Sequence, residues 1–251
     1  EAARITAIRG HKVTLYEGTK ELGGQVIPAS VPDFKIDDRR LLDWYRNEMK
    51  ELEVKLVLDI KVTEEVVEKE KPDVVIIATG AKEIKLNLPG IEKDKVATVV
   101  EVLKGSKQVG ENVLMVGGGL AGCETALYLA KQGKKVTIIE ARGTILNAGK
   151  PVPHMNKIML IDLLKNSGVK VITETSLLEV TDRGAIVIDN KFKKQNIDAD
   201  TIVIAIGFKA DRELYNKLRD KTADLYLVGD ANESADIMNA IWSANEVALN
   251  C

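Results

Sequence analysis

The stretch from Glu111 to Ala141 constrains the chain more than any other, because it fixes a strand, a turn, a helix and a second strand at once. An apolar run, Val113–Val116, leads directly into Gly117-x-Gly119-x-x-Gly122. An amphipathic helical pattern follows, and a β-rich run, Val136–Ile139, then ends on Glu140, 23 residues after Gly117. Each part has a physical task. Gly117 permits a tight turn, Gly119 lets the backbone approach a pyrophosphate, and Gly122 lets the helix lie close on the strand. Together with Gly118, Leu120 and Ala121, these residues make a cradle in which the helix N-terminus turns free N–H groups and a positive dipole end toward phosphates. Glu140 is placed to accept hydrogen bonds from adenosine ribose hydroxyls, and its charge disfavours an additional phosphate there. This points to NADH, with NADPH as the alternative because Arg142 follows two residues later.

The same pattern occurs a second time, in part. Glu1–Glu17 laid on Glu124–Glu140 gives eight identities in seventeen positions without a gap, among them Gly10/Gly133 and Glu17/Glu140. Each copy reads as a helix, a glycine that stops it, and a short strand ending in a carboxylate. The run Asp73–Gly80 likewise matches Asp200–Gly207, each an apolar strand running into glycine, so that Gly80 and Gly207 occupy equivalent positions. A duplicated nucleotide-binding unit follows from this. In the second copy Gly122 lies 18 residues before Glu140; counting 18 back from Glu17 leaves the chain. The first copy is therefore expected to keep its helix, second strand and acid but to lack its leading strand and glycine loop.

Several shorter strings gain meaning only in order. Glu21–Gln25 (ELGGQ) is a turn with adjacent glycines, Gly23 and Gly24, where backbone can pass close to a planar ligand. The run ending in Thr79-Gly80 is suited to similar close approach. Ala223–Asn232 reads as a strand ending in Gly229-Asp230, followed by a helical run over Ser234–Asn250. Taken with the EAAR start at Glu1–Arg4, the ATG at Ala78–Gly80, Gly117–Gly122 and the YLVGD at Tyr226–Asp230, the chain resembles the two-dinucleotide-domain pyridine nucleotide reductases along nearly its whole length. Within that class it is similar to the C-terminal region of old-yellow-enzyme-related NADH:flavin oxidoreductases, the group of 2-enoate reductase, 2,4-dienoyl-CoA reductase and trimethylamine dehydrogenase.

The resemblance implies FAD near Glu17, Gly23, Gly24, Gln25, Thr79, Gly80, Gly229 and Asp230. It implies a nicotinamide cofactor at Gly117–Gly122, Glu140, Arg142 and Gly207. It also implies a partner: an N-terminal barrel domain of the same protein carrying FMN, an iron–sulfur cluster and the site for a small-molecule, enoate-type substrate. Some members of the group hold ADP where others hold FAD.

Composition sets the remaining bounds. Lys and Arg number 36 against 38 Asp and Glu, a net charge of −2, which argues against a nucleic-acid or anionic-membrane surface. The longest apolar runs fall short of the roughly 18 residues a membrane span needs. Cys123 and Cys251 leave no CxxC pair and no cysteine cluster. That separates the chain from dithiol reductases, and Cys123 reads as a small packing residue. His11 and His154, the only histidines, suggest no hydrolytic arrangement and no metal site. In hydride-transfer flavoproteins the cofactors carry the chemistry, so no catalytic side chain is assigned.

The fold expected is α/β: two Rossmann-like domains with parallel central sheets, the nicotinamide domain inserted in the flavin domain. The flavin-type domain is placed at residues 1–106 plus 222–251, and the NAD(P)H-binding domain at 107–221, with Lys104–Asn112 as the linker. Helices are expected near Asp38–Glu51 and Asn156–Asn166, and strands at Val169–Thr173 and Ala185–Asp189. Three functions compete: the electron-entry part of an NADH-dependent flavin oxidoreductase, a flavin-free module binding NAD or ADP, and a standalone NADH oxidase. A cytoplasmic location is expected, and a homo-oligomer is compatible with the sequence.

Overall fold

A computed structural model describes residues 1–222 and 224–251 of the chain; Ala223, with which the sequence reading opens its last strand, lies outside the described residues. The chain forms two compact units, Glu1–Lys82 with Phe208–Cys251, and Glu83–Gly207. In chain order the first unit contributes α1 (Ala2–Ile8), β1 (Thr14–Tyr16), α2 (Val26–Ala29), α3 (Ile36–Glu51), β2 (Lys55–Val57), α4 (Glu64–Glu70), β3 (Val75–Ile77) and β4 (Ala81–Glu83), the last residue of which opens the second unit. The second unit continues with β5 (Val96–Thr98), α5 (Val99–Leu103), β6 (Asn112–Val116), α6 (Leu120–Lys131), β7 (Lys135–Ile139), α7 (His154–Asn166), β8 (Lys170–Ile172), β9 (Thr175–Val180), β10 (Gly184–Asp189), β11 (Lys194–Asp198) and β12 (Thr201–Ile204). The chain then returns to the first unit through β13 (Phe208–Ala210), α8 (Glu213–Leu218), β14 (Leu225–Leu227) and α9 (Ile237–Asn250).

The second unit is built on a five-stranded sheet in the order β5-β12-β6-β7-β8, parallel throughout. Its central strands are near-continuous apolar runs, as strands covered on both faces must be. Leu114, Met115, Ile138, Ile202 and Val203 are fully buried. An antiparallel meander, β9-β10-β11, packs against one part of the sheet; Leu177, Val180 and Val187 join Leu114, Val116, Ile139 and Ile202 in one core. The sheet runs outward from β6 through β7 to β8, and the chain then comes back to β12 on the other side of β6. The carboxyl ends of β6 and β12 therefore flank a topological switch point, the place where open α/β sheets bind ligands.

In the first unit the strands occur as separate two-stranded pieces, β1 parallel with β2, β14 parallel with β3, and β4 with β13, without a described strand hydrogen-bonding them together. Helices supply much of the order. The α9 helix packs on α1, and the Arg9 guanidinium donates to the carbonyls of Ala248 and Cys251 at 2.6 and 2.7 Å. Leu42 and Met49 form the buried stripe of α3, while Arg39 and Arg46 tie that helix to the carbonyls of Ser30, Val31 and Leu22.

The unit boundaries fall at 82/83 and 207/208, where sequence reasoning places them at 106/107 and 221/222. The difference has a physical cause. Val96–Thr98 pairs with Ile202–Ile204 as an outer strand of the second sheet, so the polar stretch Lys104–Glu111 is a loop within that unit. Residues after 207 belong to the first unit because Asp211 is held there. Its N–H donates to Gly80 O, its carbonyl accepts from Thr79 Oγ1, and its carboxylate pairs with Lys82 at 2.8 Å. No described helix is long and apolar enough to cross a membrane.

Candidate functional site

The three glycines of the Gly117-x-Gly119-x-x-Gly122 turn have different surroundings, and the differences identify their tasks. Gly117 follows β6 at φ +111°, in the left-handed region, with its N–H on Ile139 O at 2.9 Å. A methyl group added there would stand 2.8 Å from the Ala205 carbonyl carbon, at the end of the neighbouring β12. On Gly122, in the first turn of α6, a methyl would overlap the Gly117 carbonyl oxygen and stand 3.0 Å from Ala205 Cβ. Both glycines are required by packing. Gly119 is not: its backbone is extended (φ −72°, ψ −177°), and a methyl there would meet only Ala148 Cβ, at 4.0 Å. Open space lies where a pyrophosphate would approach. Gly119 is also the N-cap of α6 and lends no side chain to it, so the N–H groups of Leu120, Ala121 and Gly122 head the helix without a side-chain cap.

Glu140 directly follows β7 and is buried, 8% exposed. Its Oε2 accepts the Gly118 N–H at 2.7 Å and its Oε1 the Arg142 N–H at 2.8 Å. Two oxygens offer about four lone-pair sites, so the fixed carboxylate retains capacity for hydroxyl donors. The chain beyond it folds back over the turn. The Leu146 N–H donates to Gly118 O at 2.7 Å, and Ile145 Cγ2 lies 2.5 Å from the place a Gly118 side chain would take. The Arg142 guanidinium is bonded to the Asn147 carbonyl. Cys123 is buried below the turn with Sγ 3.4 Å from Gly118 O; burial, with the charges of Glu140 and Glu124, pushes its thiol up to about 12. Gly207, three residues past β12, lies beside the switch point at φ +103° with little around it.

The candidates of the first unit fall at strand ends. Thr79-Gly80 and Gly229-Asp230 follow the paired strands β3 and β14 at the same end. Gly80 (φ +74°) has open space over it, and the Gly229 N–H is taken by Ser243 Oγ at 2.9 Å. Asp230 Oδ1 accepts the Ala235 N–H at 3.0 Å and so shapes the entry to α9. Glu17 follows β1, which belongs to the other pair, and its Oε1 accepts from Thr19 N–H and Oγ1. In the ELGGQ turn, Gly23 is a packing position, since a methyl there would press on Leu42 and Ile27, whereas Gly24 and Gln25 are exposed. His154 begins α7, exposed, and His11 is exposed after α1. Sequence reasoning passes over Ile145, Leu146 and Asp211. No pattern marks the first two beforehand; Asp211 could be sought from its place four residues beyond Gly207.

These features agree with comparison to known proteins. The family described as pyridine nucleotide-disulphide oxidoreductase matches residues 1–248. A cinnamate reductase of Clostridium sporogenes is 45% identical over 250 residues, covering 100% of this chain and 37% of that protein. An NADH oxidase of Thermoanaerobacter brockii is 34% identical over 253 residues, covering 99% of this chain and 38% of its own. Among solved structures, a 2-naphthoyl-CoA reductase in complex with 2-naphthoyl-CoA superposes with a TM-score of 0.92 at 29% identity, over 100% of this chain and 38% of its own. The chain thus spans well under half the length of these relatives. The glycine turn at the sheet's switch point, its carboxylate and the match over residues 1–248 lead to one conclusion: the chain belongs to the pyridine nucleotide-disulphide oxidoreductase family, whose members bind FAD and NAD(P)H.

Proposed function

We propose that this chain is the electron-entry portion of a larger flavin-dependent NADH oxidoreductase. Residues 83–207 would bind NADH, and residues 1–82 with 208–251 would form the flavin-type unit. The carrying observation is the contrast within the glycine turn: Gly117, Gly118 and Gly122 are crowded by protein atoms, while Gly119 faces open space at an uncapped helix N-terminus. That fits a pyrophosphate, with Gly117–Gly122 around it, Glu140 on the adenosine ribose and Gly207 across the crevice. The carboxylate favours NADH over NADPH. Glu17, Gly23, Gly24, Gln25, Thr79, Gly80, Gly229 and Asp230 would face FAD. The bound nicotinamide supplies hydride; the protein's part is to hold and orient the two cofactors.

The similarity to cinnamate reductase, of which this chain covers 37%, supports an enoate-type substrate for the whole protein, bound by a further domain that would carry FMN and an iron–sulfur cluster. Absorbance of the purified chain tests the reading. A flavin spectrum bleached by NADH supports electron entry. A colourless chain that still binds NADH limits these residues to a nucleotide-binding module, and failure to bind NADH refutes the assignment.

A further inference from the structure

Of the six described non-glycine residues with φ in the left-handed region, Leu146 alone is buried. A bulky side chain in that conformation is disfavoured unless its surroundings hold it. Here they do. Leu146 is 4% exposed at φ +55°, and its N–H reaches Gly118 O at 2.7 Å. Gly118 is at the same time the residue whose N–H orients Glu140 Oε2. Arg142 gives its N–H to Glu140 Oε1 and its guanidinium to the Asn147 carbonyl, closing a loop from 142 to 147 across the turn. Ile145 fills the space above Gly118. The glycine turn and the carboxylate are therefore fastened by one strap, anchored by a single buried side chain.

We propose that Leu146 is a positioning residue for the nucleotide site: by anchoring the 142–147 strap on Gly118, it fixes the Glu140 carboxylate for the adenosine ribose. Arg142 serves as the strap's brace, not as a receptor for a 2′-phosphate. This inference rests on the reading of residues 83–207 as the NADH site.

The test measures NADH affinity by nicotinamide fluorescence in the wild-type chain, Leu146→Ala, Leu164→Ala and Glu140→Gln, and in the double variant Leu146→Ala/Glu140→Gln. Leu164 is 1% exposed in α7, outside the 142–147 strap, and matches Leu146 in kind of burial. Leu146→Ala should weaken NADH at least ten-fold, Leu164→Ala less than two-fold at a comparable fall in Tm. In the Glu140→Gln background the loss from Leu146→Ala should shrink below two-fold, since residues acting through one another are non-additive. Arg142→Ala, which acts through Glu140, should weaken NADH more than NADPH.

Unchanged affinity in Leu146→Ala, equal losses in both leucine variants, or full additivity with Glu140→Gln would each overturn the inference while leaving the NADH reading intact. A selective loss of NADPH in Arg142→Ala would overturn the brace role. A wild-type chain that does not bind NADH brings down the underlying reading itself. Should Leu146→Ala fail to fold, Leu146→Met, which keeps bulk and N–H, must retain affinity, and Arg142→Ala then carries the test.

Discussion

Replacing Gly119 and Gly122 in turn by alanine separates what a ligand requires from what the fold requires. At Gly119 the backbone is extended and the nearest atom to an added methyl is Ala148 Cβ, 4.0 Å away, so the folded state takes the side chain without strain. Losing glycine's freedom in the unfolded chain favours the variant by about 0.4–1 kcal/mol. Alanine's poorer standing at an N-cap opposes this by about as much, and the net change should lie within about 1 kcal/mol of zero. At Gly122 the same methyl overlaps the Gly117 carbonyl oxygen and presses on the Gly117 carbonyl carbon at 3.2 Å and Ala205 Cβ at 3.0 Å. Most of those atoms are backbone of Gly117, directly after β6, so the helix must move, at an overpacking cost of about 1–3 kcal/mol. At about 3 °C per kcal/mol, Gly122→Ala should melt roughly 3–9 °C lower and Gly119→Ala within roughly 3 °C of wild type. NADH binding should order them the other way. Gly119→Ala places a methyl where the pyrophosphate must pass and should weaken binding at least ten-fold, about 1.4 kcal/mol, with Gly119→Val weaker still. Differential scanning fluorimetry and NADH titration on the same samples decide the matter. A Gly119→Ala variant that binds NADH normally, or melts as low as Gly122→Ala, would refute this division of labour.

Glu140→Ala should weaken NADH at least ten-fold and NADPH less, narrowing the preference between them; titration with both nucleotides measures the ratio. Cys123 should resist thiol reagents in the native protein and label only as denaturant opens the second unit, a difference visible by mass spectrometry of timed aliquots. Burial holds its thiol pKa at about 12, above the usual value of 9.0, so folding favours the protonated form. The stability this contributes is intact below pH 9 and is lost as the pH rises from there toward 12; subtracting the stability profile of Cys123→Ala from that of wild type isolates it. Arg9→Ala should remove the guanidinium from the Ala248 and Cys251 carbonyls and lower stability by about 1 kcal/mol, read as a lower urea midpoint with unchanged slope.

Legibility in the sequence followed the reach of each signal. From Asn112 to Glu140 every element appears where the pattern puts it, because glycine spacing, apolar runs and a terminal acid agree locally. The helices at Ile36–Glu51 and His154–Asn166 differ from expectation by two residues at their starts, within the fraying that a polar first turn allows. What the sequence hid was pairing at a distance. Val96–Thr98 is three residues long and looks like the end of a loop; only its register with Ile202–Ile204 makes it a strand and moves the unit boundary. The run Asp73–Gly80 shortens to Val75–Ile77, since only those residues find a partner in Leu225–Leu227. Thr175–Val180 and Lys194–Asp198 complete a meander whose outer strand is largely exposed and polar, so periodicity alone had little to read. At the site, Glu140 and the glycines were visible as a motif. Leu146 was not, because its meaning lies in a backbone angle and a hydrogen bond to Gly118.

The two units differ in how their parallel strands are joined, and resistance to denaturation should differ with it. A five-stranded sheet with buried central strands loses its structure largely at once. The pairs β1–β2 and β14–β3 share three residue positions each, while helix α1 packs on α9 and α3. Such short two-stranded pieces are marginal without helices packed around them. Loosening α9 would release both its contact with α1 and the arginine bonds at its carboxyl end, so the first unit should yield to a protease or to urea before the second does. Early cleavage sites would then cluster outside residues 83–207, and the glycine turn would survive as the last intact part of the chain.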